Sequence, residues 1–250
     1  MITRGALLKV FFNSFFIQSS WSFEKMQSLG FAAAISPAMG EVYRDSPEGK
    51  RAALMRHLAF YNSHPYMASP VLGAAIRLEE AVKEGRARPD APAAFKKMVM
   101  GPYGAIGDSF FWGAVRPAAS AIGVLAAVLF GLWGAVVFLA LYNIFHLWMR
   151  WFGLKKGYEL GTGVVGYIKS QRLPEKAVKL RFICMLVLGV FSAALPWSGG
   201  GAGFAPVAVS AALLAGALIL NEAVKRGVAL TKLIYIVILP LIVIGAAIYG

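Results

Sequence analysis

A run of 33 residues without any Lys, Arg, Asp or Glu, from Pro117 to Met149, constrains this chain more than any other feature. A transmembrane helix needs about 20 residues at a rise of 1.5 Å each. The run is therefore too long for one upright helix and somewhat short for two. Gly131 and Gly134 offer a bend. The run predicts membrane helices, with either a hairpin here or a re-entrant segment in the N-terminal half.

The composition supports a membrane environment. Hydrophobic residues make up 58% of the 250 residues and charged residues 15%, and the mean hydropathy is +0.65, whereas about 25% of an average soluble domain is charged. The net charge of +13 would suit nucleic acid, but the Lys and Arg residues lie between apolar runs, without interleaved stacking aromatics. The lone Cys184 excludes an intrachain disulfide or a cysteine metal site. The composition predicts contact with a lipid bilayer and no nucleic-acid partner.

The charge is divided unevenly along the chain. Residues 1–116 hold 14 of the 25 basic and 9 of the 12 acidic residues, whereas residues 117–250 hold 11 and 3. Further apolar segments follow at 182–197, 204–221 and 233–249. We expect an all-α integral membrane protein, with an amphipathic and partly re-entrant helical half (1–116) followed by several transmembrane helices (117–250). No Gly/Ser linker separates the halves, so they are expected to form one integrated membrane domain.

The basic residues also predict orientation, because cytoplasmic loops of membrane proteins are enriched in Lys and Arg. Residues 150–181 hold eight of them, residues 196–204 none, and residues 225–232 three. This alternation predicts a cytoplasmic loop, an outside turn and a second cytoplasmic loop, with the C-terminus outside.

Helix boundaries in the first half can be predicted from caps and prolines. Ser46 is expected to cap a helix that begins at Pro47, and Pro65 is expected to stop it. Ser69 is expected to cap the next helix in the same way, and Pro37 to limit an earlier one.

Two strong polar residues, Asn62 and His64 in "NSHPYM", fall at the predicted break between these helices. Broken helices in transporters frequently bind the substrate. An amide, an imidazole and an aromatic face suit the hydroxyls and the C–H face of a hexose. The alternative is that both side chains only satisfy backbone groups freed by the break, and the two interpretations are evenly matched on the residues alone.

The glycine-rich stretch "MGPYGAIGDSFFWGAVRP" (Met100 to Pro117) suggests a re-entrant hairpin, since glycine permits sharp turns. Its only acid, Asp108, would accept hydrogen bonds from a sugar or pair with Arg116, and the ion pair is the favoured interpretation. Gln18 is a second candidate amide for sugar hydroxyls. We read the third histidine, His146, as a residue of the membrane interface.

Enzyme chemistry is not indicated. Three histidines, one cysteine and scattered carboxylates give no nucleophile–base arrangement, no zinc spacing and no pair of hydrolytic acids. We expect no self-contained active site, no metal and no cofactor.

Four blocks in order carry a family resemblance: "FFIQSSWSFEKMQSLGFAAAISPAM", "RHLAFYNSHPYMASPVLGAAIRLEE", "GPYGAIGDSFFWGAVRP" and "RWFGLKKGYELG". Together they resemble the IID component of the mannose/fructose/sorbose-type phosphotransferase system. The resemblance implies a multi-pass subunit of the bacterial cytoplasmic membrane that pairs with a IIC component to translocate a hexose. It further implies that these pairs assemble into higher oligomers.

The resemblance also assigns the chemistry to partners. Phosphate passes from phosphoenolpyruvate to histidines of soluble IIA and IIB components, so no phosphohistidine is expected at His57, His64 or His146. It makes Asn62 and His64 the first candidates for sugar contact, with Gln18 and Asp108 behind them. Two alternatives stay open: a scaffold for IIC without sugar contact, and an orphan membrane protein of the same fold. One departure is Asn13, where members of this family commonly carry arginine.

Overall fold

Within residues 1–194 and 204–249, which the computed structural model describes, the chain is built of helices joined by short turns, with isolated backbone bridges but no strand. Two apolar helical stretches, Ala91–Phe130 and Trp133–Phe191, are long enough to cross a bilayer. The predicted all-α class is confirmed. The α-helices are α1 (Arg4–Asn13), α2 (Ser28–Val42), α3 (Pro47–His57), α4 (Ala68–Lys83), α5 (Ala91–Gly107), α6 (Arg116–Phe130), α7 (Trp133–Leu160), α8 (Val164–Ser170), α9 (Leu173–Ala194), α10 (Phe204–Lys225) and α11 (Leu230–Tyr249).

The capping prediction is confirmed for α3 and wrong for α4. Ser46 Oγ accepts a hydrogen bond from the Gly49 N–H at 3.1 Å, as an N-cap does. Helix α4 instead begins at Ala68, whose N–H donates to the His64 carbonyl at 3.2 Å. Because the turn after Pro65 already starts the helix, Ser69 lies inside it, and its buried hydroxyl has no hydrogen-bond partner among the described residues.

The expectation that Pro37 limits its helix is wrong, because α2 continues through it to Val42. A proline lacks the N–H that would donate to the carbonyl four residues earlier, here that of Ala33. The side-chain amide of Asn13 donates to this Ala33 carbonyl at 3.4 Å. A neighbouring side chain therefore supplies the hydrogen bond that Pro37 cannot make.

The stretch from Met100 to Pro117 is a continuous helix and not a hairpin. Helix α5 runs into a π-helical segment, Asp108–Val115, which leads directly into α6. Close packing, and not a turn, requires one of its glycines, Gly107, whereas Gly104 lies at an ordinary contact distance. A Cβ on Gly104 would lie 3.7 Å from Ser63 Cα, and one on Gly107 would overlap the His64 side chain.

The reversal lies instead at the bend predicted in the uncharged run. Gly131 ends α6 with φ of +60°, a conformation that favours glycine, and α7 begins at Trp133. A Cβ on Gly134 would lie 2.5 Å from Ala127 Cβ, so the two helices approach closely. The hairpin alternative for residues 117–149 is confirmed.

Helices α4 and α7 pack backbone against backbone. A Cβ on Gly73 would lie 2.5 Å from the Tyr158 amide nitrogen, and one on Gly157 would lie 3.0 Å from the Ala74 nitrogen. The hydrophobic core around this contact contains residues from both sides of position 116, such as Leu72 and Met149. Glycines at the crossing thus allow α7 to close over the helix that follows the His64 break.

The chain divides into two compact units, residues 1–187 and residues 188–250. The second contains the end of α9 and helices α10 and α11, which correspond to the three apolar segments predicted beyond residue 181. The uncharged outside turn predicted at residues 196–204 lies, apart from Phe204, outside the described residues.

Candidate functional site

Gln27 fixes the backbone of the break between α3 and α4 through hydrogen bonds. The Gln27 N–H donates to the Tyr61 carbonyl at 2.8 Å. Its side-chain amide pairs with Ser63 in both directions, donating to the Ser63 carbonyl at 2.7 Å and accepting from the Ser63 N–H at 3.2 Å. Irregular backbone that is buried needs such partners. Gln27 therefore fixes the extended segment that carries Asn62 and leads to His64.

His64 lies in a box of aromatic rings and is 2% exposed. Its ring stacks on Phe111, with centroids 5.0 Å apart and planes 20° apart, while the centroids of Trp112 and Tyr66 lie 4.7 and 4.8 Å away. His64 Nδ1 accepts from the Tyr66 N–H at 3.3 Å, which leaves the hydrogen on Nε2. No residue that the structure describes accepts it.

The environment of His64 keeps its imidazole neutral. Burial, followed by the positive charge of Arg150 and by His146, lowers the pKa of His64 to about 3 from its ordinary 6.5. At neutral pH it therefore presents a single N–H donor in an apolar box. Such a donor is suited to an uncharged hydroxyl.

A polar network on α7 closes one side of this box. Arg150 is buried and donates from Nε to His146 Nε2 at 2.7 Å, and from Nη1 to the Ser14 carbonyl and hydroxyl. Its guanidinium lies over the Tyr66 ring, 5.1 Å from the centroid. Because His146 Nε2 accepts, its Nδ1 carries the hydrogen and donates to Asn143 Oδ1 at 3.2 Å. His146, which was read as an interface residue, is thus part of the support of the site.

A second buried polar cluster joins α3, α4 and α5 just before the break. His57 Nε2 lies 2.9 Å from Glu79 Oε1, and the other carboxylate oxygen accepts from Arg56 and from Tyr43. Burial lowers the pKa of His57 despite the nearby carboxylate. Burial works to raise the pKa of Glu79, but the contacts with His57, Arg56 and Tyr43 hold it below its ordinary value. Lys96 donates to the His57 carbonyl at 2.8 Å, so the end of α3 is anchored to α5.

The structure brings three of the four predicted site residues to one region. Asn62 is exposed and lies two residues from His64, and Asp108 is exposed and follows Gly107, the residue against which His64 packs. Gln18 is exposed on the loop that joins Ser14 to Gln27. Within the described residues, the side chains of Asn62, Asp108 and Gln18 make no hydrogen bond, which leaves them available to a ligand or a partner.

The favoured interpretation of Asp108, an ion pair with Arg116, is wrong for the described residues. None of their ion pairs joins the two side chains. The two residues are eight positions apart along one continuous helix, and side chains three or four positions apart are the ones that meet on a helix. The carboxylate of Asp108 is therefore not used within its own helix.

Sequence reasoning missed Gln27, Phe111, Trp112 and Arg150. Arg150 directly follows the long uncharged run and was interpreted only as a charge that sets membrane orientation. An arginine at the end of an apolar run is also a signal of a buried polar network. Phe111 and Trp112 gave no signal, because adjacent residues in an α-helix point about 100° apart and were not expected to share one partner.

Comparison with known proteins gives a consistent family. The model of the family described as "PTS system mannose/fructose/sorbose family IID component" matches residues 1–195. The mannose-specific EIID component of Escherichia coli K12 is 38% identical over 165 residues, which cover 66% of this chain and 58% of that protein. The sorbose-specific EIID component of Lacticaseibacillus casei is 34% identical over 192 residues, covering 75% and 67%.

A solved structure supports the same relation. The complex of the mannose transporter ManYZ with microcin E492 contains a chain that is 33% identical, with a TM-score of 0.62, covering 77% of this chain and 71% of that chain. The aligned part spans only 58% of the length of the Escherichia coli relative. Since the family match extends over more than three quarters of the residues, the chain belongs to the IID components of the mannose/fructose/sorbose family of the phosphotransferase system.

Proposed function

We propose that this chain forms, with a IIC component, the translocation unit for phosphoenolpyruvate-dependent uptake of a mannose-type hexose. The observation that carries the proposal is the family match over residues 1–195, together with relatives named for mannose and sorbose. The helical membrane architecture agrees with this role.

The sugar contacts are assigned to the region around the α3–α4 break. The His64 N–H is buried and lacks a partner among the described residues, so a sugar hydroxyl that reaches the ring would accept its hydrogen bond. The Asn62 amide can donate and accept, and the Asp108 carboxylate can accept from two hydroxyls. Trp112 is 43% exposed and offers an aromatic face to the C–H face of the ring. Gln18 is a further amide, placed on a neighbouring loop.

The remaining machinery is assigned to partners. A soluble IIA/IIB pair would carry the phosphate to the sugar at the cytoplasmic face, where the exposed basic residues within 150–181 offer a positively charged docking surface. We place the chain in the bacterial cytoplasmic membrane with several crossings, in an oligomer of IIC–IID pairs. Large apolar side chains exposed on α6 and α7, such as Val128, Phe130 and Leu139, suit contact with lipid or with IIC.

The experiment is phosphoenolpyruvate-dependent uptake of labelled hexoses by vesicles that contain this chain, its IIC component and added soluble carriers. His64→Ala and Asn62→Ala are expected to abolish or strongly reduce uptake while IIC and IID still co-purify. The control is Arg51→Ala, an exposed position on α3 outside the proposed site.

The alternatives give different results in the same experiment. Unchanged uptake in His64→Ala and Asn62→Ala would refute direct sugar contact and favour a scaffold for IIC. No uptake of any hexose by the wild-type complex would favour an orphan protein.

A further inference from the structure

The helix from Ala91 to Phe130 contains an unusual internal segment. Residues Asp108–Val115 are π-helical, and the Arg116 N–H donates to the carbonyl of Phe111, five residues earlier. Such segments are rare and frequently occur at functional sites. This one supplies both Phe111 and Trp112 to the His64 box.

Pro117 gives the segment a physical cause. In an α-helix the N–H of residue 117 would donate to the Gly113 carbonyl, but proline has no N–H. The Gly113 carbonyl instead accepts from Arg181 Nε of α9 at 3.1 Å. Arg181 Nη2 donates to the carbonyl of Ser109 at 3.1 Å and to its hydroxyl at 2.6 Å. One guanidinium therefore binds the backbone on both sides of Phe111 and Trp112.

The wider turn changes where the aromatic side chains point. Adjacent side chains in an α-helix diverge by about 100°, and a wider turn with more residues reduces this angle, which favours contact of both rings with one partner. In the observed segment Phe111 stacks on His64 and Trp112 lies beside it. Arg181 makes no ion pair within the described residues, and its hydrogen bonds there all go to this segment. Within the described residues, Arg181 therefore binds only the segment that carries Phe111 and Trp112.

We infer that Arg181 is a positioning residue for sugar binding, acting with Pro117 to hold the π-helical turn that seats Phe111 and Trp112 against His64. The inference rests on the proposed function in assigning the box to the sugar. A residue that only stabilised the helix could be replaced by any other donor to the Gly113 carbonyl. A positioning residue could not be replaced in this way. A backbone N–H at position 117 would also donate to the Gly113 carbonyl, but it would impose the α-helical register on the segment.

This difference defines the test, made on the IIC–IID complex. Arg181→Gln, Pro117→Ala and the double variant are compared with Lys179→Gln, an exposed position on the same helix. The readouts are KM and maximal rate of hexose uptake, the melting temperature of the complex, and hydrogen exchange of the backbone amides at residues 109–116 and 118.

Arg181→Gln is expected to raise KM about tenfold with little change in maximal rate, as expected for a lost charged hydrogen bond, and to speed amide exchange in the segment. Adding Pro117→Ala should restore exchange protection and the melting temperature, because the alanine introduced at position 117 has an N–H that can donate to the Gly113 carbonyl, while KM stays high. Lys179→Gln should match the wild type.

Recovery of KM in the double variant would overturn the inference, since any donor to Gly113 would then suffice. Unchanged amide exchange in Arg181→Gln would also overturn it. Failure of the proposed function is separate, because it would appear as unchanged uptake in His64→Ala. In that case the positioning of Phe111 and Trp112 is judged by the exchange result alone.

Discussion

Adding one methyl group at successive glycines of α5 tests the packing of the His64 segment directly. A Cβ on Gly107 would overlap His64 Cβ and Cγ and lie 2.9 Å from Met67 Cγ. A Cβ on Gly104 would lie 3.7 Å from Ser63 Cα, an ordinary contact, and one on Gly101 would have no neighbour within 4 Å. The three positions share one helix and one chemical change, and differ in what the methyl group meets.

The magnitudes follow from two opposing effects. Replacing glycine with alanine inside a helix stabilises it by about 1 kcal/mol. Gly101 precedes Pro102, whose ring disfavours the helical conformation of a residue that carries a Cβ, so Gly101→Ala should leave the free energy of unfolding nearly unchanged. Overpacking a close contact costs about 1–3 kcal/mol, occasionally more. Because His64 and Met67 are buried and cannot move aside freely, Gly107→Ala should be destabilising overall. Gly104→Ala, whose methyl group makes only an ordinary contact, should stabilise by about 1 kcal/mol.

The assay is thermal unfolding of the purified IIC–IID complex, paired with hexose uptake by the same variants. Gly107→Ala is expected to lower both the melting temperature and the apparent sugar affinity, since the methyl group displaces the His64 ring from Phe111 and Trp112. Gly104→Ala should raise the melting temperature, whereas Gly101→Ala should leave the melting temperature and uptake unchanged. Equal behaviour of Gly101→Ala and Gly107→Ala would refute the packing of His64 on α5.

Three further predictions concern single contacts. The pKa of His64 is lowered to about 3, so the unfolded chain binds this proton more readily than the folded one. The low pKa of folded His64 costs almost no stability above pH 6.5, but protonation of the unfolded chain lowers the free energy of unfolding by about 2 kcal/mol at pH 5. Unfolding of the complex measured across this pH range should show the loss, and the loss should be smaller in His64→Gln. Ser46→Ala should lower stability by about 1 kcal/mol through loss of the cap of α3, measurable as a lower melting temperature; an unchanged value would contradict the cap. Asn13→Ala should cost about 1 kcal/mol in the wild type and nearly nothing beside Pro37→Ala, where the new N–H satisfies the Ala33 carbonyl; a double-mutant cycle without coupling would contradict that exchange of donors.

The sequence predicted those parts of the fold that depend on local chemistry. The start of α3 depends on Ser46 and Pro47, and the reversal after α6 depends on Gly131, so local pattern was sufficient for both. It failed where a distant side chain changes what the backbone can do. Pro37 did not end its helix because Asn13, in another helix, supplies the missing donor.

The same limit applies to the candidate site. Asn62 and His64 were found because strong polar residues at a helix break in an apolar chain are few. Trp112 and Arg181 were not found, because their roles depend on a π-helical turn and on long-range hydrogen bonds. Arg181 follows its partners Gly113 and Ser109 by 68 and 72 positions in the sequence. No periodicity in the sequence contains that contact.

The most direct test of sugar contact is protection of position 62 from chemical modification. Asn62→Cys would be made in a Cys184→Ala background, so that this chain carries one exposed thiol in the complex, with Arg51→Cys in the same background as the matched control. The account predicts that a transported hexose slows maleimide labelling of the thiol at position 62 in the IIC–IID complex and leaves labelling at position 51 unchanged. Equal labelling at position 62 with and without hexose, at hexose concentrations that still raise the melting temperature of the variant complex, would contradict the account.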